Sequence, residues 1–467
     1  MIPIFGLIAF DESGAQFEPD PIVCDDGTLV VAAARLDNRD DLVAQLGEGS
    51  DEQLVARAWA KWRRETPRHL FGDWAFAAWD VRERTLFVAR DHYGYTPLYY
   101  WRDARRFAFA SERKRLFELV RPELNEEHLT RYLANDVDPG VTFHKGIFRV
   151  PPAHRLTVMP GAFRIERYWR MEDAPDVRLP SDDAYVERFL ELYVAAIRAR
   201  LRSTRPIAAT LSSGLDSGSV TAIAARELNS LTAFTAVPLV ADVSDEWPLA
   251  HATAAWCGNV EHVAVRAERM TAIAAIDRSL EVHGEPVFMA RHLPWALGIA
   301  EACRERGFGA LLIAQMGNGG GSWAGERADR MKLLLPKLHP FGTFWGEIGA
   351  GYGIEVRDPT ADIRLLEFCL GIPETLFAGR RLMRRAVEGL LPPAVQRNEV
   401  HGRQGADLPF RLLADRANVE DALREMSVDA APMRRQWQSL QAQPDFMLAA
   451  DFYRSLLVGR FVTRAFR

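Results

Sequence analysis

Between Ala208 and Leu228 the chain reads AATLSSGLDSGSVTAIAAREL. A short apolar run ends in a cluster of serines, glycines and one aspartate, and a helical stripe follows at once. Val220, Ile223, Ala224 and Leu228 fall on one face of that helix. The pattern continues: LTAFTAVPLV reads as the next strand, EWPLAHATAAWCG as the next helix and EHVAV as a further strand, while DAYVERFLELYVAAIRARL is an amphipathic helix before them. Strand alternating with helix predicts an α/β fold with a doubly wound parallel sheet.

The first part of the chain follows another rule. GTLVVAAARLD, DWAFAAWD, TLFVARD, TPLYYW and RFAFAS are short apolar or aromatic runs split by charged turns, the signature of antiparallel hairpins. Ser50–Trp62 has a good N-cap and helical spacing. The polar, proline-containing stretch RMEDAPDVRLPSDD separates the two regimes. The expected organisation is a β-rich domain over 1–170, a linker over 171–183 and a nucleotide-binding domain over 184–467.

Composition excludes several functions. A net charge of −5 gives no electrostatic hint of nucleic acid or an anionic membrane. Four cysteines, Cys24, Cys257, Cys303 and Cys369, form no CxxC pair and no disulfide framework, which favours a reducing, cytoplasmic setting. No apolar run reaches the roughly 18 residues of a membrane span.

The Ser-Ser-Gly-Leu-Asp-Ser-Gly loop precedes a helix, whose first N–H groups suit an anion. Ser212, Ser213 and Ser217 add hydroxyls, and Gly214 permits close approach. The loop lacks the lysine of a P-loop. An aspartate facing phosphate needs a cation between them, so Asp216 reads as a Mg²⁺ ligand. The other reading is that Asp216 and Ser217 cap the helix.

LSSGLDSGS resembles the S-G-G-x-D-S pyrophosphatase loop of the asparagine synthetase superfamily. FGDWAFAAWDVRERTLFVARDHYGYTPLYY, FAFASERKRLFE and GIFRVPPAHRLTV are similar to its N-terminal glutaminase-type domain. GYGIEVRDPTADIRLLEFCLGIP resembles its E-x-R-x-P-x-x-D block. The resemblance implies an N-terminal Ntn-hydrolase-like α+β sandwich followed by an ATP-pyrophosphatase-type domain. It implies ATP and Mg²⁺ as cofactors, with nucleotide contacts from Leu211, Ser212, Ser213, Gly214, Asp216, Ser217, Val237, Gly317 and Asn318, and with Asp216 on the metal.

The departures from the family are specific. Glutamine-using members begin Met-Cys-Gly, whereas this sequence begins MIPIFG. The expectation is a scaffold domain without glutaminase activity, with Asn38 as a relic of the amide-binding loop. The family's G-E-G-S-D-E stretch corresponds to LLIAQMGNGGGSWAG, which has lost its aspartate near Asn318 and Gly319. That stretch, with the later RQGADLPF, resembles the lasso peptide cyclases. Such enzymes adenylate an Asp or Glu side chain of a precursor peptide, whose own N-terminal amine then closes a macrolactam and releases AMP. The resemblance also implies a leader peptidase and a leader-recognition protein as partners. By the same resemblance Glu355 is the base for the amine, with Tyr352 as its candidate partner; the alternative is an ion pair between Glu355 and Arg357. Arg403 stands in for the family lysine or is a solvated surface arginine, and Asp407 could orient it. Two other functions stay open: a small-molecule amide ligase of β-lactam synthetase or ammonia-dependent asparagine synthetase type, and a non-catalytic nucleotide- or peptide-binding partner.

Overall fold

Strands with apolar residues on alternate positions need a second layer on each buried face, and the N-terminal region meets that need with two antiparallel sheets. A computed structural model describes residues 1–10, 14–136, 138–240, 245–325, 327–399 and 404–466, with no account of the side chains of 327–329 and 331–340. Two compact units divide the chain, and their main break falls between Ala174 and Pro175, inside the 171–183 stretch. Unit 1 also takes Leu334–Glu347, and unit 2 takes Tyr132–Asn135.

The strands of unit 1 are β1 (Phe5–Ala9), β2 (Ala15–Glu18), β3 (Ile22–Val23), β4 (Leu29–Leu36), β5 (Gly72–Asp80), β6 (Thr85–Arg90), β7 (Tyr99–Arg102), β8 (Arg106–Ala110), β9 (Ile147–Arg149), β10 (His154–Met159) and β11 (Ala162–Arg167). One sheet runs β2-β1-β8-β7-β9 and the other β11-β10-β6-β5-β4-β3. Ile8, Phe107 and Phe109 from the first meet Val31, Ala75, Ala77 and Val88 from the second in a shared core. The outer face of the second sheet, with Val30, Ala32 and Trp74, is covered by α1 (Arg39–Leu46) and α2 (Asp51–Trp62). Ser50 and Gln53 close a capping box on α2, as the N-cap signal implies.

The sequence gives no hint that Leu334–Glu347 joins this unit. Within it Arg90 donates to the Thr343 hydroxyl at 2.8 Å, and Tyr99 bonds Glu347. Gly342 and Gly346 let the backbone approach closely: a Cβ at either would overlap the carbonyl oxygen of Tyr93 or Tyr95.

Unit 2 holds five parallel strands, β12 (Ile207–Thr210), β13 (Leu231–Val237), β14 (Val260–Arg266), β15 (Ala310–Leu312) and β16 (Glu355–Arg357). Their order is β14-β13-β12-β15-β16. The first strand in sequence is therefore central, and the chain winds outward from it in both directions. After α3 (Glu126–Leu133), which spans the unit boundary, come α4 (Asp182–Arg200), α5 (Leu215–Glu227), α6 (Trp247–Cys257), α7 (Ala272–Val282) and α8 (Leu293–Glu305). One face of the sheet, with Ile207, Ala209, Leu231 and Ala310, packs on α4 and α5. Val260 packs beside Ala250 and Ala254 of α6 on that side. Val265, of opposite parity on the same strand, lies near Gly298 of α8 on the other face. Helices on both faces make this the doubly wound sheet expected from the alternation. The remaining helices used below are α9 (Arg327–Tyr352), α10 (Ile363–Gly371) and α11 (Arg381–Ala386).

Candidate active site

In an open parallel sheet the loops at the carboxyl ends of two neighbouring strands diverge where the winding reverses, and the gap between them is the natural ligand crevice. Here that point lies between β12 and β15. The loop after β12 is Ser212–Gly214, and the loop after β15 contains Gly317–Gly319. The two candidate loops, more than 100 residues apart in sequence, meet at this edge.

The first loop is braced by its own hydroxyls. Ser217 Oγ accepts from Ser212 N at 2.9 Å and lies 2.7 Å from Ser212 Oγ, which accepts from Gly214 N at 3.2 Å. Gly214 is the extended N-cap of α5 and makes no side-chain cap, so the first turn of α5 keeps its N–H groups for another acceptor. Leu211 enters the loop with its carbonyl accepting from Thr235 Oγ1 at 2.6 Å, and Thr235 Oγ1 lies 2.8 Å from His262 Nε2. Val237 ends β13 at the same edge.

Asp216 sits where the two loops touch. Its Oδ2 accepts from Ser322 Oγ at 2.7 Å, and its Oδ1 is buried with no hydrogen-bond partner. Burial lifts its carboxyl to about 6; the Ser322 bond and Arg380 pull it down, and Asp358 pushes it up. A Cβ on residue 317 would overlap the Asp216 carboxylate, so glycine there creates the space the carboxylate occupies. Asp216 does not cap α5, since Gly214 holds the N-cap and Asp216 lies in the first turn. A buried carboxylate oxygen with no donor, beside an anion-binding helix start, fits a hard divalent cation.

The glycine-rich loop is held from behind. Arg330 donates to the carbonyls of Gly319 at 2.7 Å and Gly320 at 3.1 Å, and Met316 N donates to Asp358 at 3.0 Å. Asn318 projects to solvent at the tip.

Glu355 and Tyr352, read from the sequence as catalytic, lie away from this edge. Glu355 opens β16 and pairs with Ala310, the first residue of β15. In a parallel sheet that is the amino end, opposite the loops. Arg357 donates to Glu355 at 3.0 and 2.5 Å, and to the carbonyls of Arg200 and Arg202 at 2.6 and 2.9 Å. Burial would raise the Glu355 carboxyl, but Arg357 outweighs it and holds it near 2. A carboxylate so firmly ionised is a poor proton acceptor. Tyr352 ends α9 just before this strand, with its hydroxyl accepting from Arg278 at 3.2 Å and the Arg278 guanidinium 4.6 Å from its ring. Both residues close the bottom of the sheet.

Arg403 lies outside the described residues. Asp407 accepts from Arg411 Nε and from Leu239 N, which leaves it bracing the segment after β13.

Two groups at the site escaped the sequence reading. Arg380, just before α11, has a left-handed backbone at φ 61° and interacts electrostatically with Asp216. Its neighbours Gly379 and Arg381 give no signal of this in the sequence. Glu246, the residue before the Trp247–Pro248 start of α6, accepts from Ser213 Oγ at 3.4 Å. Burial lifts its carboxyl to about 7, with the Ser213 bond opposing and Asp245 adding to the rise. A carboxylate one residue before a proline-headed helix that follows a parallel strand was a usable signal, because such a helix starts at the carboxyl edge. Asn398 adds a bond from its amide to the Ser213 carbonyl at 3.3 Å.

Residues 35–169 match a family described as glutamine amidotransferase domain, and residues 188–320 one described as asparagine synthase. The chain is 31% identical over 231 residues to asparagine synthetase (glutamine-hydrolyzing) 3 of Bacillus subtilis strain 168, covering 46% of this chain and 36% of the relative. It is 26% identical over 249 residues to a putative asparagine synthetase (glutamine-hydrolyzing) 2 of Methanocaldococcus jannaschii, covering 48% of each. It is 28% identical over 309 residues to amidase chyE of Penicillium rubens, covering 62% of this chain and 45% of the relative. The match spans less than half the length of each of these relatives, from 36% to 48%.

Proposed function

We propose that this chain, which belongs to the asparagine synthetase superfamily, is an ATP-dependent ligase that forms an amide bond, and that its product is a peptide macrolactam. The observation that carries the ligase reading is Asp216: a buried carboxylate with an unpartnered oxygen, set between an anion-binding helix start and a glycine-rich loop at the switch point of the sheet.

In this reading the loop Ser212–Ser217 and the first turn of α5 hold the phosphates of ATP, and Leu211, Val237, Gly317 and Asn318 complete the nucleotide site. Asp216 holds Mg²⁺, which when bound offsets phosphate charge during pyrophosphate release. Arg380 supplies a cation on the same side. The carboxylate oxygen of the acyl substrate attacks the α-phosphorus, and pyrophosphate leaves. The amine then attacks the acyl carbon, the C–N bond forms, and AMP departs with the C–O electron pair. Holding both ends of one peptide in place can supply about 7–11 kcal/mol of the barrier by effective concentration. A leader peptidase and a leader-recognition protein belong to the same proposal as partners. In unit 1 the cysteine Cys24 points its thiol at the Ala56 carbonyl, and burial raises its pKa. This supports a scaffold role without glutamine hydrolysis.

The relatives named asparagine synthetases favour a second reading, amidation of a small acid such as L-aspartate. One experiment separates the two. Exchange of labelled pyrophosphate into ATP is measured with L-aspartate, and with linear peptides that carry a free N-terminus and one internal Glu or Asp. Products are then read by mass spectrometry, with ammonium present for the aspartate arm. The macrolactam reading expects exchange with a peptide and loss of one water from it. Exchange with L-aspartate alone, giving asparagine, replaces that reading with the second. Absence of exchange with every acid removes both.

A further inference from the structure

With Glu355 at the amino end of the sheet, the amide-forming step has no assigned proton acceptor among the described residues at the carboxyl edge. A protonated nitrogen must shed a proton as the C–N bond forms, and in a partly dry site water is a poor sink for it. Each described carboxylate that the strand ends bring to this edge can be checked for whether it is free to take one.

Asp216 accepts from Ser322 and aims its other oxygen at the space below Gly317, the position given above to Mg²⁺. Asp358 accepts from Met316 N, Thr360 N and the Thr360 hydroxyl. Asp362 is held by Arg200 and Arg364. Asp407 is paired with Arg411 and bonded to Leu239 N. Asp245 is exposed and accepts from Trp247 N. Glu268 is exposed beyond the end of β14, the outermost strand. Glu246 differs from all of these. It is half-buried, and among the described residues its carboxylate accepts one hydrogen bond, from Ser213 Oγ at 3.4 Å, which uses only Oε1. The contact places it against the loop that carries the phosphates in the proposed function.

We propose that Glu246 is the catalytic base of the amide-forming step, taking the proton of the attacking amine through the carboxylate oxygen that Ser213 leaves free. The balance is complete without another reactant. The amine nitrogen bonds to the acyl carbon, the bond from that carbon to the AMP oxygen breaks with its electron pair, and the surplus proton on nitrogen passes to Glu246. Solvent takes it from there at turnover. The raised pKa of Glu246 fits this use, because an acceptor works best when its own pKa lies near the working pH. Glu246 also has no part in the attack on ATP, which requires no base from the protein when the acyl carboxylate is already ionised.

The inference rests on the ligase reading, and the test keeps the two apart. Glu246→Gln retains size and the acceptor for Ser213 Oγ but cannot take a proton. Wild type and variant are compared in three assays, with whichever of L-aspartate and the linear Glu peptide gives pyrophosphate exchange. Exchange in the variant should stay within about threefold, while amide product falls by about 10²–10⁴-fold, the usual contribution of a general base. Hydroxylamine, a strong nucleophile with a weakly basic nitrogen, should restore hydroxamate formation to near wild-type rate. A structural role for Glu246 would lower exchange, amide and hydroxamate together, and that result overturns the proposal. So does amide formation at wild-type rate. If wild type itself gives no exchange with any acid, the ligase reading fails and this inference fails with it.

Discussion

Asp216→Asn should stabilise the metal-free protein at alkaline pH while abolishing its use of nucleotide. The carboxyl has an ordinary value of 3.8 and stands at about 6 in the fold, mainly because burial disfavours its charged form. The folded chain therefore holds a proton between those two values that the unfolded chain has released. Stability falls as pH rises through that window, and the full penalty is present above pH 6. Two pKa units correspond to about 3 kcal/mol, and partial exposure of the residue screens this to roughly 1–3 kcal/mol. Asparagine has the same shape, still accepts from Ser322 Oγ, and carries no charge. At pH 8 without divalent cations, thermal unfolding of the variant should lie above wild type by about 2–12 °C, taking 2–4 °C per kcal/mol for a domain of this size. The gap should narrow steadily as pH is lowered towards 5. Addition of Mg²⁺ and ATP should reverse the order, because wild type gains binding energy that the variant lacks. A gap that is constant with pH, or a variant less stable than wild type at pH 8, would refute the argument that Asp216 is an uncompensated buried charge. Nucleotide-dependent stabilisation of the variant equal to wild type would refute the metal role.

The other substitutions probe the two ends of the sheet. Gly317→Ala drives a Cβ into the Asp216 carboxylate and should cost about 1–3 kcal/mol of stability, with ATP affinity in calorimetric titration weakened about tenfold or more. Glu355→Gln should leave pyrophosphate exchange and product formation within about twofold of wild type, yet lower stability by about 1–3 kcal/mol in urea unfolding, because buried Arg357 loses its carboxylate partner.

Strand and helix patterning is a local property, and it was readable here. The runs at Leu29–Leu36, Gly72–Asp80 and Thr85–Arg90 became paired strands, and the βα units around Ser212 became a parallel sheet. Position along a strand was not read, although it was available. A three-residue strand that begins at Glu355 puts that carboxylate at the amino end whatever motif surrounds it. Motif resemblance assigned a role, and strand polarity places that carboxylate away from the loops. Arg380 was hidden for a different reason. Its left-handed backbone and its approach to Asp216 depend on packing between segments more than 160 residues apart, which no periodicity encodes. The capture of Leu334–Glu347 by unit 1 was equally invisible, since its two glycines read as weak helix formers until the carbonyls of Tyr93 and Tyr95 are in place.

The charges around Ser212–Ser217 impose an order on what enters. Asp216 and Glu246 both have raised pKa values, and each owes most of the rise to burial. Near neutral pH a site with two such carboxylates resists a further anion until a cation has come in. Arg380 offsets Asp216 only in part, since that carboxyl stays well above 3.8 despite it. In the proposed function, triphosphate alone is then repelled, and its complex with a divalent ion is the species expected to bind first. With its charge in place, Asp216 is satisfied, while Glu246 remains the unpaired carboxylate on the far side of Ser213. In the proposed amide-forming step a cationic amine is drawn towards that carboxylate and loses its proton there. The same accounting explains how the glycine-rich loop can do without an acid near Asn318. A third carboxylate there would add like charge to a crevice in which two are already hard to keep ionised.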